Sequence, residues 1–157
     1  MTTLYPSNFV SPMRRGMIEF AHQISADHDL TLNFHADYRP EAAVSRLTKW
    51  FQQVLQRLFG RRCYQLPRER LIEFVAFPEL SLAGYPHFHC AARIPGSHVE
   101  YFQRIAGSRW KAFVPTGTLH LQPIQQTEED YERLFSYVTK SASADNLIHS
   151  SMLLPVT

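Results

Sequence analysis

The chain has 157 residues, of which 45% are hydrophobic and 19% charged, and its net charge is +2. One domain of that length buries roughly 70% of its unfolded surface, so it folds without a metal or disulfide, and Cys63 and Cys90 make no disulfide framework. No apolar run reaches the roughly 18 residues of a membrane span and the start carries no signal-peptide core, so a cytoplasmic protein without a membrane partner is expected.

Residues 1–27 read as an N-terminal extension with a predicted helix over Met13–Ser25. His28–Asp37 then alternates, with Leu30, Leu32 and Phe34 on one face and Thr31, Asn33 and His35 on the other, the pattern of a half-buried strand. Pro40 suits the first turn of a helix that runs to Phe59 and stops at Gly60, with Val44, Leu47, Phe51, Leu55 and Leu58 recurring at intervals of three and four. A basic loop follows, with Arg57, Arg61, Arg62, Arg68 and Arg70 in one short stretch. Arg61 and Arg62 are its candidate contacts to a nucleic-acid backbone, since a guanidinium holds phosphate bidentately.

Arg70–Glu79 and Pro86–Ile94 are the next two strands, joined by a turn at Ala83-Gly84. In the second, Phe88, Cys90, Ala92 and Ile94 point one way and His87, His89, Ala91 and Arg93 the other. Ser97 is placed to cap a helix to about Phe113, and Leu119–Ile124 is a fourth strand with His120 and Gln122 opposite Leu119 and Leu121. Thr127 caps a last helix to about Ser141, and Glu128, Glu129 and Asp130 in its first turn suit the helix dipole. Strand, helix, strand, strand, helix, strand is the split β-α-β order of a ferredoxin-like α+β fold. A four-to-five-stranded antiparallel sheet is expected, with helices on its apolar face and one more helix after the last strand. The first and third strands are neighbours there, which would set His35 beside His87 and His89. The expected organisation is one domain, with a core over 28–142 and a tail over 143–157.

Histidines at i and i+2 of a strand project from one face about 7 Å apart, so both imidazoles can converge on one ion. Two imidazoles with a carboxylate suit Mn²⁺, Mg²⁺, Fe²⁺ or Zn²⁺. Glu79 and Glu73 share the parity for the third ligand, and Glu79 is preferred because a hairpin brings the end of its strand beside the start of the next. On the last helix Tyr137 and Lys140 lie three apart and share a face. Tyr131 competes with Tyr137 but is expected to pack in the core.

The ordered set Leu30-Thr31-Leu32-Asn33-Phe34, Pro86-His87-Phe88-His89-Cys90-Ala91-Ala92 and Tyr137-Val138-Thr139-Lys140 resembles the three motifs of the HUH (His-hydrophobe-His) single-tyrosine endonucleases, the nickases of rolling-circle replication initiators. The resemblance spans residues 28 to about 142. It implies a metal-dependent endonuclease and strand transferase on single-stranded DNA. His87, His89 and, by position, Glu79 would hold Mn²⁺ or Mg²⁺, while Tyr137 would form a 5′-phosphotyrosine and Lys140 would steady the phosphate. Asn33, His35, His120 and Gln122 would contact substrate or orient the ligands. Implied partners are single-stranded DNA, including a hairpin origin, with helicase and polymerase supplied in trans, because no G-x-x-x-x-G-K-[ST] occurs. Monomer and dimer both stay open, as do a single-tyrosine transposase, a non-catalytic ferredoxin-like nucleic-acid-binding module and an iron oxygenase.

Overall fold

Alternating strands and amphipathic helices assemble here into one sheet with helices on both sides. The structure is a computed structural model that describes residues 12–136 and 146–155. Its helices are α1 (Pro12–Gln23), α2 (Pro40–Phe59), α3 (Val99–Phe113) and α4 (Glu128–Phe135); its strands are β1 (His28–Asn33), β2 (Glu73–Leu80), β3 (Pro86–Arg93), β4 (Thr118–Pro123) and β5 (Ile148–His149). The sheet is antiparallel in the order β4-β1-β3-β2-β5, a ferredoxin-like α+β arrangement with β1 and β3 central and β5 added at one edge. No helix among the described residues is long and apolar enough to cross a membrane.

The main core fills the space between the sheet and the α2–α3 layer. Leu30, Leu32, Phe34, Phe74, Ala76, Phe88, Cys90 and Ala92 meet Leu47, Trp50, Phe51, Val54 and Leu55 of α2 and Phe102, Ala106 and Trp110 of α3. Both free thiols are buried, and burial pushes them up, Cys90 furthest. Trp110 is central: its ring lies 5.0 Å from Phe34 and 5.9 Å from Trp50, and its Nε1–H donates to the Asn33 carbonyl at 2.9 Å. Gly117 lies against that indole, where a Cβ would come within 2.5 Å of Nε1.

The other side of the sheet is partly covered as well. Val75, Phe77 and Ala91 pack there with Met17, Ile18 and Ala21 of α1, Ile24 just after it, and Tyr131 and Phe135 of α4. Tyr131 is buried and its hydroxyl donates to the Ala26 carbonyl at 2.7 Å. Helices therefore lie on both faces, α2 and α3 on the expected one and α1 with α4 over half of the opposite one.

Several boundaries depart from the periodicity. β1 ends at Asn33 because His35 takes φ 53°, a left-handed conformation that breaks the alternation. Residues 68–70 form a short helical turn before β2, and Ser97 lies within another, with its hydroxyl bonded to His98 Nδ1 rather than capping α3. Thr127 does cap α4, its Oγ1 accepting from the Asp130 N–H at 3.2 Å. Near the C-terminus, β5 pairs with Val75 and Ala76, Ser150 Oγ accepts from the Phe74 N–H at 3.1 Å, and Leu153 is buried.

Candidate metal centre

Strand register alone sets out the face opposite the main core in rows. Glu79, His87, Asn33 and Thr118 are successive partners across β2, β3, β1 and β4; Phe77, His89, Thr31 and His120 form the next row; Val75, Ala91, Asp29 and Gln122 the third. Helices α1 and α4 cover Val75, Phe77 and Ala91. What they leave is a polar strip running from Glu79 obliquely across β1 to β4.

At one end of the strip three ligand-type side chains converge. His87 Nε2 lies 3.1 Å from Glu79 Oε2 and His89 Nε2 3.8 Å from the same oxygen, and one ligand atom from each residue falls within 4.8 Å of the others. The two imidazole rings are 5.1 Å apart and nearly perpendicular. Glu79 is 6% exposed at its side chain, His87 13% and His89 29%, so His89 is the member of the cluster most open to solvent. Burial, and then the charge of His89, hold the His87 imidazole below its ordinary value, against the pull of Glu79. A neutral ring is the form that ligates. His87 Nδ1 is buried and meets no hydrogen-bond partner among the described residues, and Nε2 is the ring nitrogen that faces Glu79. The donor set of one carboxylate and two imidazoles fits a divalent first-row ion or Mg²⁺, and three protein ligands leave positions free for substrate oxygen.

Glu73 lies elsewhere. It sits six residues back along β2, about 20 Å away by strand rise, where it pairs with Arg93 at 3.2 Å and faces His149 at 3.7 Å. Asn33 is the cross-strand partner of His87. His35 does not sit beside the histidine pair: with its left-handed backbone it turns toward β4, where Nε2 meets Thr118 Oγ1 at 2.8 Å. His120 and Gln122 are exposed on β4, on the same face as the cluster but two strands from His89. Arg61 and Arg62 are exposed after the far end of α2, in the loop that leads to the Glu73 end of β2, so they are not brought to the cluster. Tyr137 and Lys140 lie outside the described residues. Ser136 is the last described residue before them, and the preceding Phe135 ring packs 5.3 Å from Phe77, two residues before Glu79 on the same strand face.

One residue of the strip escaped the periodicity argument. Asp29 lies on the same face as Thr31 and Asn33, diagonal to His89, with its Oδ1 buried and unpartnered among the described residues. Burial raises its carboxyl, and His89 opposes that shift. The sequence signal was an acidic side chain at the parity of Thr31 and Asn33 on a central strand.

No family model, curated protein or solved structure matches the chain. Fold and cluster together define a ferredoxin-like α+β protein with a candidate His-His-carboxylate centre on the less covered face of its sheet.

Proposed function

We propose that this protein is a single-tyrosine, metal-dependent endonuclease and strand transferase of the HUH type, acting on single-stranded DNA as a replication initiator does. The observation that carries the reading is the convergence of Glu79, His87 and His89 within 4.8 Å on a sheet of β4-β1-β3-β2 order. The motif resemblance supports it, because it assigns the same two histidines to metal binding and places the nucleophile in the segment that follows β4. A base-stacking module is less well supported: the polar strip carries imidazoles, amides and hydroxyls, and the one aromatic in its rows, Phe77, is buried.

A bound divalent ion would supply Lewis-acid polarisation of the scissile phosphodiester. His87, His89 and Glu79 would hold it, the carboxylate adding charge to two neutral imidazoles. Tyr137 would give up its phenol proton and attack phosphorus, forming a phosphotyrosine to the 5′ end of the downstream strand as the 3′-oxygen of the upstream strand leaves and takes up a proton. A later 3′-hydroxyl would attack the phosphotyrosine and restore the phenol, rejoining DNA with the ester bond count unchanged. Lys140 would balance the phosphate charge. The free 3′-hydroxyl can prime synthesis by polymerase and helicase acting in trans.

A pool of end-labelled single-stranded DNA incubated with Mn²⁺ tests the reading on a denaturing gel. Discrete cleavage is expected for the wild type and should vanish with EDTA or in His87→Ala. Cleavage that persists in both would remove the centre from the chemistry.

A further inference from the structure

The β2–β3 hairpin ends in a tip that the metal centre does not use. Pairing runs past Leu80 and Pro86 to a last bond, from the Ser81 N–H to the Tyr85 carbonyl at 2.8 Å. The Ser81 carbonyl accepts from the Gly84 N–H at 2.8 Å, and Ser81 Oγ accepts from the Tyr85 N–H at 3.2 Å. Gly84 closes the three-residue loop at φ 83°, the left-handed conformation that such hairpins need at that position. This well-tied tip is apolar. Six large hydrophobic side chains are exposed among the described residues, and three of them share the turn: Leu82 fully, Leu80 at 70% and Tyr85 at 38%. No charged residue falls between Leu80 and Pro86. Turns ordinarily carry polar residues, and a fully exposed leucine adds nothing to the core, so apolar side chains grouped on one projection mark a contact site.

Position and shape identify what it contacts. Alternation puts Tyr85 on the face of Glu79 and His87, one step of about 7 Å beyond His87 along the same hairpin. A strand with a phosphate at the centre would carry a neighbouring base over the tip. A second copy of the chain fits less well: three side chains on a convex turn fall far short of the roughly 600 Å² per partner that a stable interface buries. A small convex apolar projection suits bases, which stack on aromatic rings and admit leucines as wedges between steps. We infer that this tip is a base-stacking element, in which Tyr85 takes the face of a nucleobase beside the phosphate at the centre and Leu82 wedges against the next base. The inference rests on the single-stranded DNA reading above. The stack belongs to one hairpin beside the centre, not to a platform across the sheet, and it is tolerant of sequence because every base has a π-face.

The test is fluorescence anisotropy on the whole protein, in Mn²⁺ and again in EDTA, with labelled oligo-dT compared with an abasic sugar-phosphate oligomer of the same length. Both carry the same phosphates, so their affinity ratio isolates the bases. Wild type should favour oligo-dT roughly fivefold or more, the range of one stacked base. The ratio should drop toward one in Tyr85→Ala, fall less far in Leu82→Ala, and hold in Tyr85→Phe, which keeps the ring and loses the hydroxyl. Leu82 is fully exposed, so its variant keeps the test open if a Tyr85 variant does not fold. A ratio unchanged in Tyr85→Ala and Leu82→Ala overturns the tip's role and leaves the DNA reading intact, and a fall in solution mass in the same variants would give the tip to a second copy instead. Equal loss in Tyr85→Phe and Tyr85→Ala overturns stacking in favour of the hydroxyl. No wild-type binding to either oligomer overturns the DNA reading and the inference with it.

Discussion

Gly117→Ala probes how the α3 layer holds the end of β1 against the candidate centre. A Cβ at residue 117 would lie 2.5 Å from Trp110 Nε1, 2.8 Å from its Cδ1 and 2.9 Å from the Val114 carbonyl oxygen. Carbon needs about 3.5 Å or more from such atoms, so the indole must retreat by roughly 1 Å. It has nowhere to go, because it is fully buried and wedged by Phe34 and Trp50. Overpacking of that kind costs about 1–3 kcal/mol. Pulling Nε1 away also strips the Asn33 carbonyl of its donor at 2.9 Å, adding roughly 1–3 kcal/mol for an unmet buried acceptor. The sum, about 2–6 kcal/mol, is a large share of an ordinary domain's stability. At roughly 2–4 °C per kcal/mol for a chain of this size, the melting temperature should fall by about 5–20 °C. Circular dichroism melts of Gly117→Ala, Trp110→Phe and the double variant measure it. The double variant should be less destabilised than the sum of the singles, since the smaller ring removes the clash. A Gly117→Ala melt within a degree or two of wild type, or strict additivity, would refute the reasoning.

Three further outcomes follow from the same structure. Saturating Mn²⁺, at about a hundred times its Kd, should stabilise the wild type by roughly 2.7 kcal/mol and raise its melting temperature by about 5–10 °C; Glu79→Gln should lose most of that shift, and an equal shift in the variant would exclude the carboxylate as a ligand. His149 is held below the ordinary imidazole value, by burial first and also by Arg68 against Glu73, and its Nδ1 accepts from the Ser151 N–H at 3.1 Å. The unfolded chain therefore takes the proton first, so this contribution to stability is complete above about pH 6.5 and is lost as pH falls through the folded value, at up to about 1.4 kcal/mol per pH unit. Urea melts of His149→Asn, which keeps an acceptor and removes the titration, should show a shallower acid slope, and an unchanged slope would clear His149 of the effect. Replacing both Arg61 and Arg62 with Ala should weaken DNA binding alike for all sequences and lower the salt slope by roughly one to two, without moving the cut position; unchanged affinity would end their proposed role.

Much of the architecture was legible because it rests on local rules. Pro40, Gly60 and Thr127 mark helix ends by backbone and capping chemistry, and the parity of His87 and His89 on a strand places both on one face. The turn before Pro86 fixed the hairpin register that sets Glu79 opposite His87. The misses come from tertiary contacts and single backbone angles. A left-handed residue at His35 ended β1 early and gave the place beside His87 to Asn33. A strand of two residues leaves no periodic trace, so β5 read as tail. Cover on the second face was signalled by Phe74-Val75-Ala76-Phe77 and Cys90-Ala91-Ala92, apolar at both parities as strands buried on both sides are, yet the covering helices carry no mark of which face they take. Asp29 shares the parity of Thr31 and Asn33, and only the strand register sets it diagonal to His89.

The claim at the centre of this account is that Tyr137 becomes covalently joined to DNA. Tryptic mass spectrometry after incubation with Mn²⁺ and a single-stranded DNA pool addresses it directly, because cleavage after Arg133 and Lys140 isolates the peptide Leu-Phe-Ser-Tyr-Val-Thr-Lys with one tyrosine. The account predicts a nucleotide phosphate on Tyr137 of that peptide, absent with EDTA and in Tyr137→Phe. Cleaved DNA with the peptide unmodified, or the phosphate on another residue, would contradict it.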